Sequence, residues 1–293
     1  MVQGFFAVLT AFVIWGFVPL FWRLLTDVPV LQVLAHRVVF CALIVVTWLS
    51  VRERLSWLAP LRAAPRLTLV LVVSSLLLAA NGGLYVHGVT SGQVVATSLG
   101  YFINPLVNVL LGVVLLRERL TRSQWIAVGL ATLGVAYLSY SAGALPWLSL
   151  ALAGSFSAYG LIRKRVAFGA LAGLAVECLL LLPLAFGYLV WVERAGVGAF
   201  GHAGLPTTAL LAAAGAVTAL PLAAFAYGAR RLPYSTVGIV QYVAPSLQLA
   251  CAVFAFKEPF ARDQLLGFGL IWSGLVLYAF DVLTHRRDAP ASV

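Results

Sequence analysis

Residues 105–134 read PLVNVLLGVVLLRERLTRSQWIAVGLATLG, and residues 245–274 read PSLQLACAVFAFKEPFARDQLLGFGLIWSG. Laid over one another at a shift of 140, they agree at Pro105 and Pro245, Glu118 and Glu258, Arg122 and Arg262, Gln124 and Gln264, Gly129 and Gly269, Leu130 and Leu270, and Gly134 and Gly274. Agreement at one spacing that includes proline and glycine, the residues with the most particular backbone demands, marks a duplication. Nearer the start of each copy a shift of 144 aligns Ala7 with Ala151, Phe12 with Phe156 and Gly16 with Gly160.

Both stretches are apolar runs around a short charged cluster, and the same texture fills the chain. Of 293 residues, 62% are hydrophobic and 10% charged, with mean hydropathy +1.02. A soluble domain carries about 25% charged residues. A run of about 20 apolar residues crosses a hydrocarbon core about 30 Å thick. Ten runs fit, at residues 4–24, 30–51, 67–88, 93–116, 124–140, 147–162, 171–192, 208–229, 236–256 and 264–283. The chain reads as an all-α integral membrane protein of ten transmembrane helices. Residues 1–143 form the first five-helix repeat, 144–285 the second, and 286–293 a short cytoplasmic tail. Since five is odd, the second copy enters the membrane from the opposite side and the repeats are inverted.

The net charge of +10 belongs to helix ends and not to a nucleic-acid patch. With both termini inside, inner connectors receive fourteen Lys and Arg and outer connectors four, Arg23, Arg194, Lys257 and Arg262. Cytoplasmic loops carry such an excess, so the orientation is N-in, C-in. Cys41, Cys178 and Cys251 each fall inside an apolar run, without disulfide or zinc spacing, and read as packing residues. The start, Met1-Val2-Gln3, lacks a basic n-region and a cleavage pattern, so the first span is expected to be retained.

Inverted repeats are a recurring plan of secondary transporters, with the site near the midplane at the repeat interface. The competing reading is a duplicated scaffold without a transport role. Pro105 in the fourth span and Pro245 in the ninth each remove a donor, and are expected to free the carbonyls of Tyr101 and Gln241. Asn81-Gly82-Gly83 interrupts the third span, and Pro221 matches Asn81 in the eighth. These breaks predict a cavity bounded by spans three, four, eight and nine. Gln93, Thr97, Tyr101, Asn104 and Asn108 make a polar stripe on the fourth span, and Tyr234, Gly238, Gln241, Pro245 and Gln248 a comparable one on the ninth. Such stripes either bond helices together or line a wet cavity. Trp15, Tyr85, Tyr101, Tyr159, Tyr227 and Tyr242 add aromatic surfaces with polar tips suited to a partly apolar organic ligand.

Glu177 lies about seven residues into the seventh span, where an ionised carboxylate costs about 2.5 to 3.5 kcal/mol on insertion scales. A carboxylate that exchanges a proton according to the side it faces is what proton coupling requires; the alternative is a structural carboxyl bonded to a neighbouring helix. Arg37, beside His36, holds the matching place in the second span, since 37 plus 140 is 177. Inverted topology separates the two, so Arg37 is expected to pair with Asp27 or Glu258 as a gate or latch. His87, near the outer end of the third span, is a further titratable candidate. Thr121-Arg-Ser-Gln124 is a capping-box pattern. No Walker A, Gly-x-Ser-x-Gly or His-Glu-x-x-His pattern occurs, so neither an enzyme nor a cofactor or metal site is expected.

The five-plus-five plan resembles the drug/metabolite transporter superfamily, specifically its EamA-type proteins, and most closely the RarD family. The likeness rests on Trp15-Gly16-Phe-Val-Pro19, Leu34-Ala35-His36-Arg37, Asn81-Gly82-Gly83-Leu-Tyr85, Ser98-Leu-Gly-Tyr-Phe-Ile-Asn-Pro105, Tyr159-Gly160-Leu-Ile-Arg163-Lys164, Val176-Glu177 and Gln241-Tyr242-Val-Ala-Pro245. Gly82 departs from the family, where a Trp is expected, so one aromatic wall of the cavity is expected to be missing. The resemblance implies a multi-pass permease of the cytoplasmic (inner) membrane, often an exporter, in a family whose name is associated with chloramphenicol. The expected function is secondary transport of a small metabolite or drug, chloramphenicol-like or amino-acid-like. Trp15, Asn81, Tyr85, Tyr101, Asn104, Asn108, Tyr159, Tyr227, Gln241, Tyr242 and Gln248 are the expected substrate-binding residues. Glu177, Arg37, His36 and His87 are the expected coupling or gating groups, with protons as co-substrate and the lipid bilayer as the other partner. Pro105, Pro221 and Pro245 are the expected helix breaks.

Overall fold

The computed structural model describes residues 2–54, 56–58, 61, 65–116, 120–141, 145–166, 169–229, 231 and 240–285. Glu118, Tyr234, Gly238 and the tail 286–293 lie outside the described residues. The described chain is helical throughout, with no strand. Its long helices are α1 (Val2–Arg23), α2 (Val30–Glu53), α3 (Pro65–Thr90), α4 (Val94–Leu116), α5 (Arg122–Ser141), α6 (Trp147–Arg165), α7 (Ala170–Arg194), α8 (Leu205–Ala229), α9 (Val243–Ala250) and α10 (Arg262–His285). A turn of 3₁₀ helix, Ser56–Leu58, follows α2. Among the described residues α1, α2, α3, α7 and α8 are long and apolar enough to cross a membrane. Large apolar side chains such as Trp48, Leu133, Leu184 and Phe254 point outward, as a lipid-facing surface requires.

Local chemistry sets the helix ends. The α5 capping box forms in full: the Gln124 N–H donates to Thr121 Oγ1 at 3.2 Å, and the Thr121 N–H to Gln124 Oε1 at 3.1 Å. At the head of α10 the Ala261 N–H donates to Gln264 Oε1 at 2.9 Å, but Ala261 has no hydroxyl to return the bond. α7 closes in a Schellman motif. Gly196 stands at φ 69°, its N–H donates to the Glu193 carbonyl, and the Val197 N–H reaches back to Val192 at 3.0 Å.

Pro245 does not kink a continuous ninth helix as the sequence led us to expect. The chain turns at Gln241 and Tyr242, α9 starts at Val243, and Pro245 falls in its first turn, where no intrahelical donor is lost. The Gln241 carbonyl is taken by the Ala244 N–H at 3.3 Å. The irregularity comes later, in a π-helical turn at Cys251–Ala255, where the Phe256 N–H reaches the Cys251 carbonyl at 2.9 Å. Pro221 lies inside α8 and is buried. Pro105 lies in α4, but its side chain is outside the described residues.

The dominant packings join a helix of the first five to one of the second five: α5 with α10, α2 with α7, α4 with α6, α3 with α6, α1 with α8, α2 with α8 and α1 with α9. In lipid, apolar association gains little, so close contact has to come from small residues and hydrogen bonds. A Cβ at Gly134 would stand 2.7 Å from the Gly267 carbonyl, and one at Gly274 2.6 Å from that of Ala127, so α5 and α10 touch backbone to backbone.

Candidate functional site

Buried polar groups gather where α2, α3, α6, α7 and α8 meet. Glu177, on α7, is fully buried. Its carboxylate accepts from Ser74 Oγ of α3 at 2.6 Å and from the Tyr159 hydroxyl of α6 at 3.3 Å. Arg163, four residues beyond Tyr159 and so on the same face of α6, brings Nη1 to 3.9 Å from Glu177 Oε1. Its Nη2 donates to the Gly169 carbonyl at 3.1 Å. Gly173, one turn before Glu177, leaves room for that guanidinium, which lies where a Cβ would be. Two hydroxyl donors and a nearby cation, from two helices, therefore surround one carboxylate, the arrangement that makes a buried charge tolerable.

Arg37, on α2, stands differently. Glu258 does not pair with it; both its oxygens accept from the first amides of α4, Val94 and Val95, at 2.8 Å each. That is a helix N-terminus capped by a carboxylate. Asp27 is exposed and pairs with no cation among the described residues. The Arg37 guanidinium lies on Gly82 of α3, in the space a Cβ would fill, and makes no hydrogen bond or ion pair among the described residues. The guanidinium thus takes the space beside position 82, where the family resemblance leads one to expect a Trp.

Arg37 and Glu177 line one cavity of about 40 Å³, together with Cys41, Cys178, Thr218 and apolar residues of α2, α3, α7 and α8. This cavity is bounded by spans two, three, seven and eight, and so shares spans three and eight with the cavity expected between spans three, four, eight and nine. The volume admits about two or three waters.

α4 is not at the wall because its polar stripe is spent on α6. Asn104 Oδ1 accepts from Ser157 Oγ at 2.5 Å, and the Ala96 carbonyl accepts from Ser149 Oγ at 2.7 Å. Thr97 Oγ1 bonds the Val94 carbonyl of its own turn. Asn81 likewise donates from Nδ2 to the Leu152 carbonyl and to Ser155 Oγ, both at 3.0 Å. Asn81 and Asn104 thus serve helix contacts. Asn108 is in α4, but its side chain lies outside the described residues. Tyr101 stands edge-on to Tyr85 at 5.5 Å and to Phe156 at 6.1 Å, close enough to Arg37 to sense its charge. The buried Tyr85 hydroxyl has no partner.

The remaining candidates are scattered. Trp15 packs against Phe12 and Phe225, and its carbonyl accepts from Gln248 Nε2 at 3.0 Å, joining α1 to α9. Gln241 and Tyr242 form the turn ahead of α9. Tyr227 is not interior: it sits near the end of α8, 44% exposed, with Arg231 over its ring at 3.7 Å. His87 is exposed beside Ser91. His36 is buried and stacks on Phe200 of the α7–α8 loop at 5.1 Å, while Gln32 bonds that loop at Val197 and Ala199. The loop is thereby strapped over the end of α2 nearest Arg37. Sequence reasoning missed Ser74, Gly173 and Arg163. The pairs Tyr159/Arg163 and Gly173/Glu177 at four-residue spacing carried the signal, but Arg163 was taken as a loop charge.

Apolar helices closed around a charged interior cavity define a multi-pass helical membrane protein. Residues 2–140 match the model of the EamA-like transporter family. The chain is 43% identical to an uncharacterised transporter of Pseudomonas aeruginosa, covering 98% of this chain and 97% of that one. It is 41% identical to the protein RarD of Streptomyces exfoliatus, covering 96% and 89%. A solved crystal structure superimposes with TM-score 0.62 at 18% identity, covering 94% of this chain and 97% of that one, a likeness of fold alone. The chain belongs to the RarD family of the drug/metabolite transporter superfamily, and is a membrane transporter.

Proposed function

We propose that the protein is a secondary transporter of the cytoplasmic membrane, N-in and C-in, that exports a small organic metabolite or drug by alternating access. The observation that carries the reading is the packing pattern. Exchanging each helix with the one five later returns six of the seven pairings, α3 with α6 becoming α8 with α1 and α4 with α6 becoming α9 with α1, and turns the seventh, α2 with α8, into a smaller contact of α7 with α3. Such exchange supports two inverted five-helix repeats, residues 1–143 and 144–285. Because the repeats interleave, the moving bodies are mixed: α3, α4 and α6 on one side, α8, α9 and α1 on the other, with the Arg37–Glu177 cavity between them. Glu177 is the coupling group in this reading, since its partners Ser74, Tyr159 and Arg163 come from the first of those bodies.

A ligand-stabilisation screen of the detergent-purified chain against amino acids, vitamins, nucleosides and chloramphenicol-like drugs identifies the substrate class, because a ligand of the folded state raises its stability. Counterflow in proteoliposomes with the labelled hit then tests transport. A hit that binds but never exchanges across the membrane refutes the reading. The full set of partners around Glu177 favours a second reading, an uncoupled facilitator with a structural carboxyl. Glu177→Gln separates the two: coupling predicts intact counterflow and lost proton-driven accumulation, whereas the facilitator shows no proton-driven accumulation in either form.

A further inference from the structure

We infer that the cavity between α2, α3, α7 and α8 receives a carboxylate, with Arg37 as the group that binds it; the inference rests on the transport reading above. One guanidinium, Arg37, and one carboxylate, Glu177, line this space, and a second guanidinium, Arg163, stands 3.9 Å from Glu177. Glu177 is matched by Arg163, which leaves the charge of Arg37 uncompensated. The acids that could have neutralised it are elsewhere: Glu258 on the α4 amides and Asp27 at the surface. Among the described residues no carboxylate other than Glu177 lines the cavity.

The surroundings of Arg37 fit a receptor better than a strut. A structural arginine in a membrane is held by an acid or by carbonyls; this one has neither among the described residues, and rests on the bare backbone of Gly82. Its planar fork offers paired N–H donors that match the two oxygens of a carboxylate. Tyr85, three residues beyond Gly82 and so on the same face of α3, buries a hydroxyl with no partner and stands edge-on to Tyr101, outside the cavity wall. A cation beside an otherwise mostly apolar cavity with room for about two or three waters suits the carboxylate group of a small organic acid, whose apolar body is received as the cavity widens in the transport cycle. A neutral drug would leave the charge unanswered. An amine would meet repulsion at Arg37 and a carboxylate already engaged at Glu177.

Thermal unfolding of the full-length protein in detergent, with acetate, benzoate or succinate and with the neutral acetamide, benzamide or succinamide, tests this. At millimolar concentration at least one acid is expected to raise the unfolding midpoint by about 2 °C or more, with no effect of its amide. Arg37→Gln is expected to abolish the shift, Arg37→Lys to weaken it, and ligand-free Arg37→Gln to unfold no earlier than the parent. Should Arg37→Gln fail to fold, Gly82→Ala keeps the charge but puts a methyl where the guanidinium lies, and is expected to lose the shift as well. If no acid protects, if acid and amide act alike, or if Arg37→Gln keeps the full shift, the inference is wrong. Counterflow of a neutral compound without any acid effect overturns the carboxylate site and leaves transport standing. Acid binding without counterflow overturns transport and leaves the site standing.

Discussion

Arg163 and Arg37 each lay a guanidinium over a glycine of the next helix, Gly173 in one case and Gly82 in the other. Arg37 lines the small cavity and Arg163 stands near its Glu177, yet Arg163 faces a carboxylate that also accepts two hydrogen bonds, whereas Arg37 pairs with no acid among the described residues. The first arrangement fixes α6, α3 and α7 together, since losing any member leaves the rest exposed to the cost of a buried charge. The second fixes nothing. Arg37 is half-buried and has no counter-charge among the described residues, and under the carboxylate proposal its partner arrives from outside. The contrast separates a structural charge from a receptive one on geometry alone.

Removing Arg163 breaks the contrast most sharply. Arg163→Met leaves Glu177 fully buried without its cation, and loss of one partner of a buried pair costs about 3 to 5 kcal/mol. The 3.9 Å separation, and a Ser74 bond that survives, put this case at the low end, about 3 kcal/mol. Chemical unfolding of the purified variant measures it, and Arg163→Met combined with Glu177→Gln is expected to recover most of the loss. A double variant as unstable as the single one sinks the assignment. Ser74→Ala comes next. Interhelical hydrogen bonds in membranes average about 0.6 and reach about 1.7 kcal/mol. A 2.6 Å bond to a carboxylate belongs at the upper end, so about 1.5 kcal/mol is expected. Tyr159→Phe, whose bond to the same carboxylate is 3.3 Å long, is expected to cost about 0.5 kcal/mol. An equal loss for the two would mean that Glu177 is held by Arg163 alone.

Much of this was legible in sequence, for identifiable reasons. The spans follow from run length because lipid forces every backbone group into a helix. Gly134 and Gly274 show as a repeat because their role, backbone contact between α5 and α10, tolerates no side chain. The α5 cap is readable because both of its bonds are local. The site was read less well because its geometry is set by partners distant in sequence. Glu177 was singled out by cost, but Ser74 is 103 residues away and carries no spacing signal. The stripe on α4 could have faced a cavity or a helix, and its sequence is the same in either case; only the serines of α6, Ser149 and Ser157, decide it. Pro245 misled because a turn at Gln241 and Tyr242 interrupts its apolar run and makes it a first-turn residue, and the run itself carries no mark of that turn.

The same comparison of matched places can be sharpened at the heads of α5 and α10, with the smallest expected effect. Under the 140-residue shift Thr121 corresponds to Ala261, and Gln124 to Gln264. α5 has a reciprocal cap, whereas α10 has the glutamine's half and lacks the hydroxyl's half. Replacing Ala with a hydroxyl residue at an N-cap contributes about 0.5 to 2 kcal/mol, and this end is exposed, so Ala261→Thr is expected to stabilise by about 0.5 kcal/mol. Thr121→Ala is expected to cost more than that, because Thr121 Oγ1 also donates to Asp281 Oδ2 at 2.9 Å and so ties α5 to α10. Paired unfolding curves of the two variants measure the difference. If Ala261→Thr destabilises while Thr121→Ala is neutral, the two helix starts are not equivalent places and their agreement in sequence has another cause. A small gain on one side and a larger loss on the other shows the same local device at both heads, complete in one copy and reduced in the other, with the interhelical bond to Asp281 accounting for the excess.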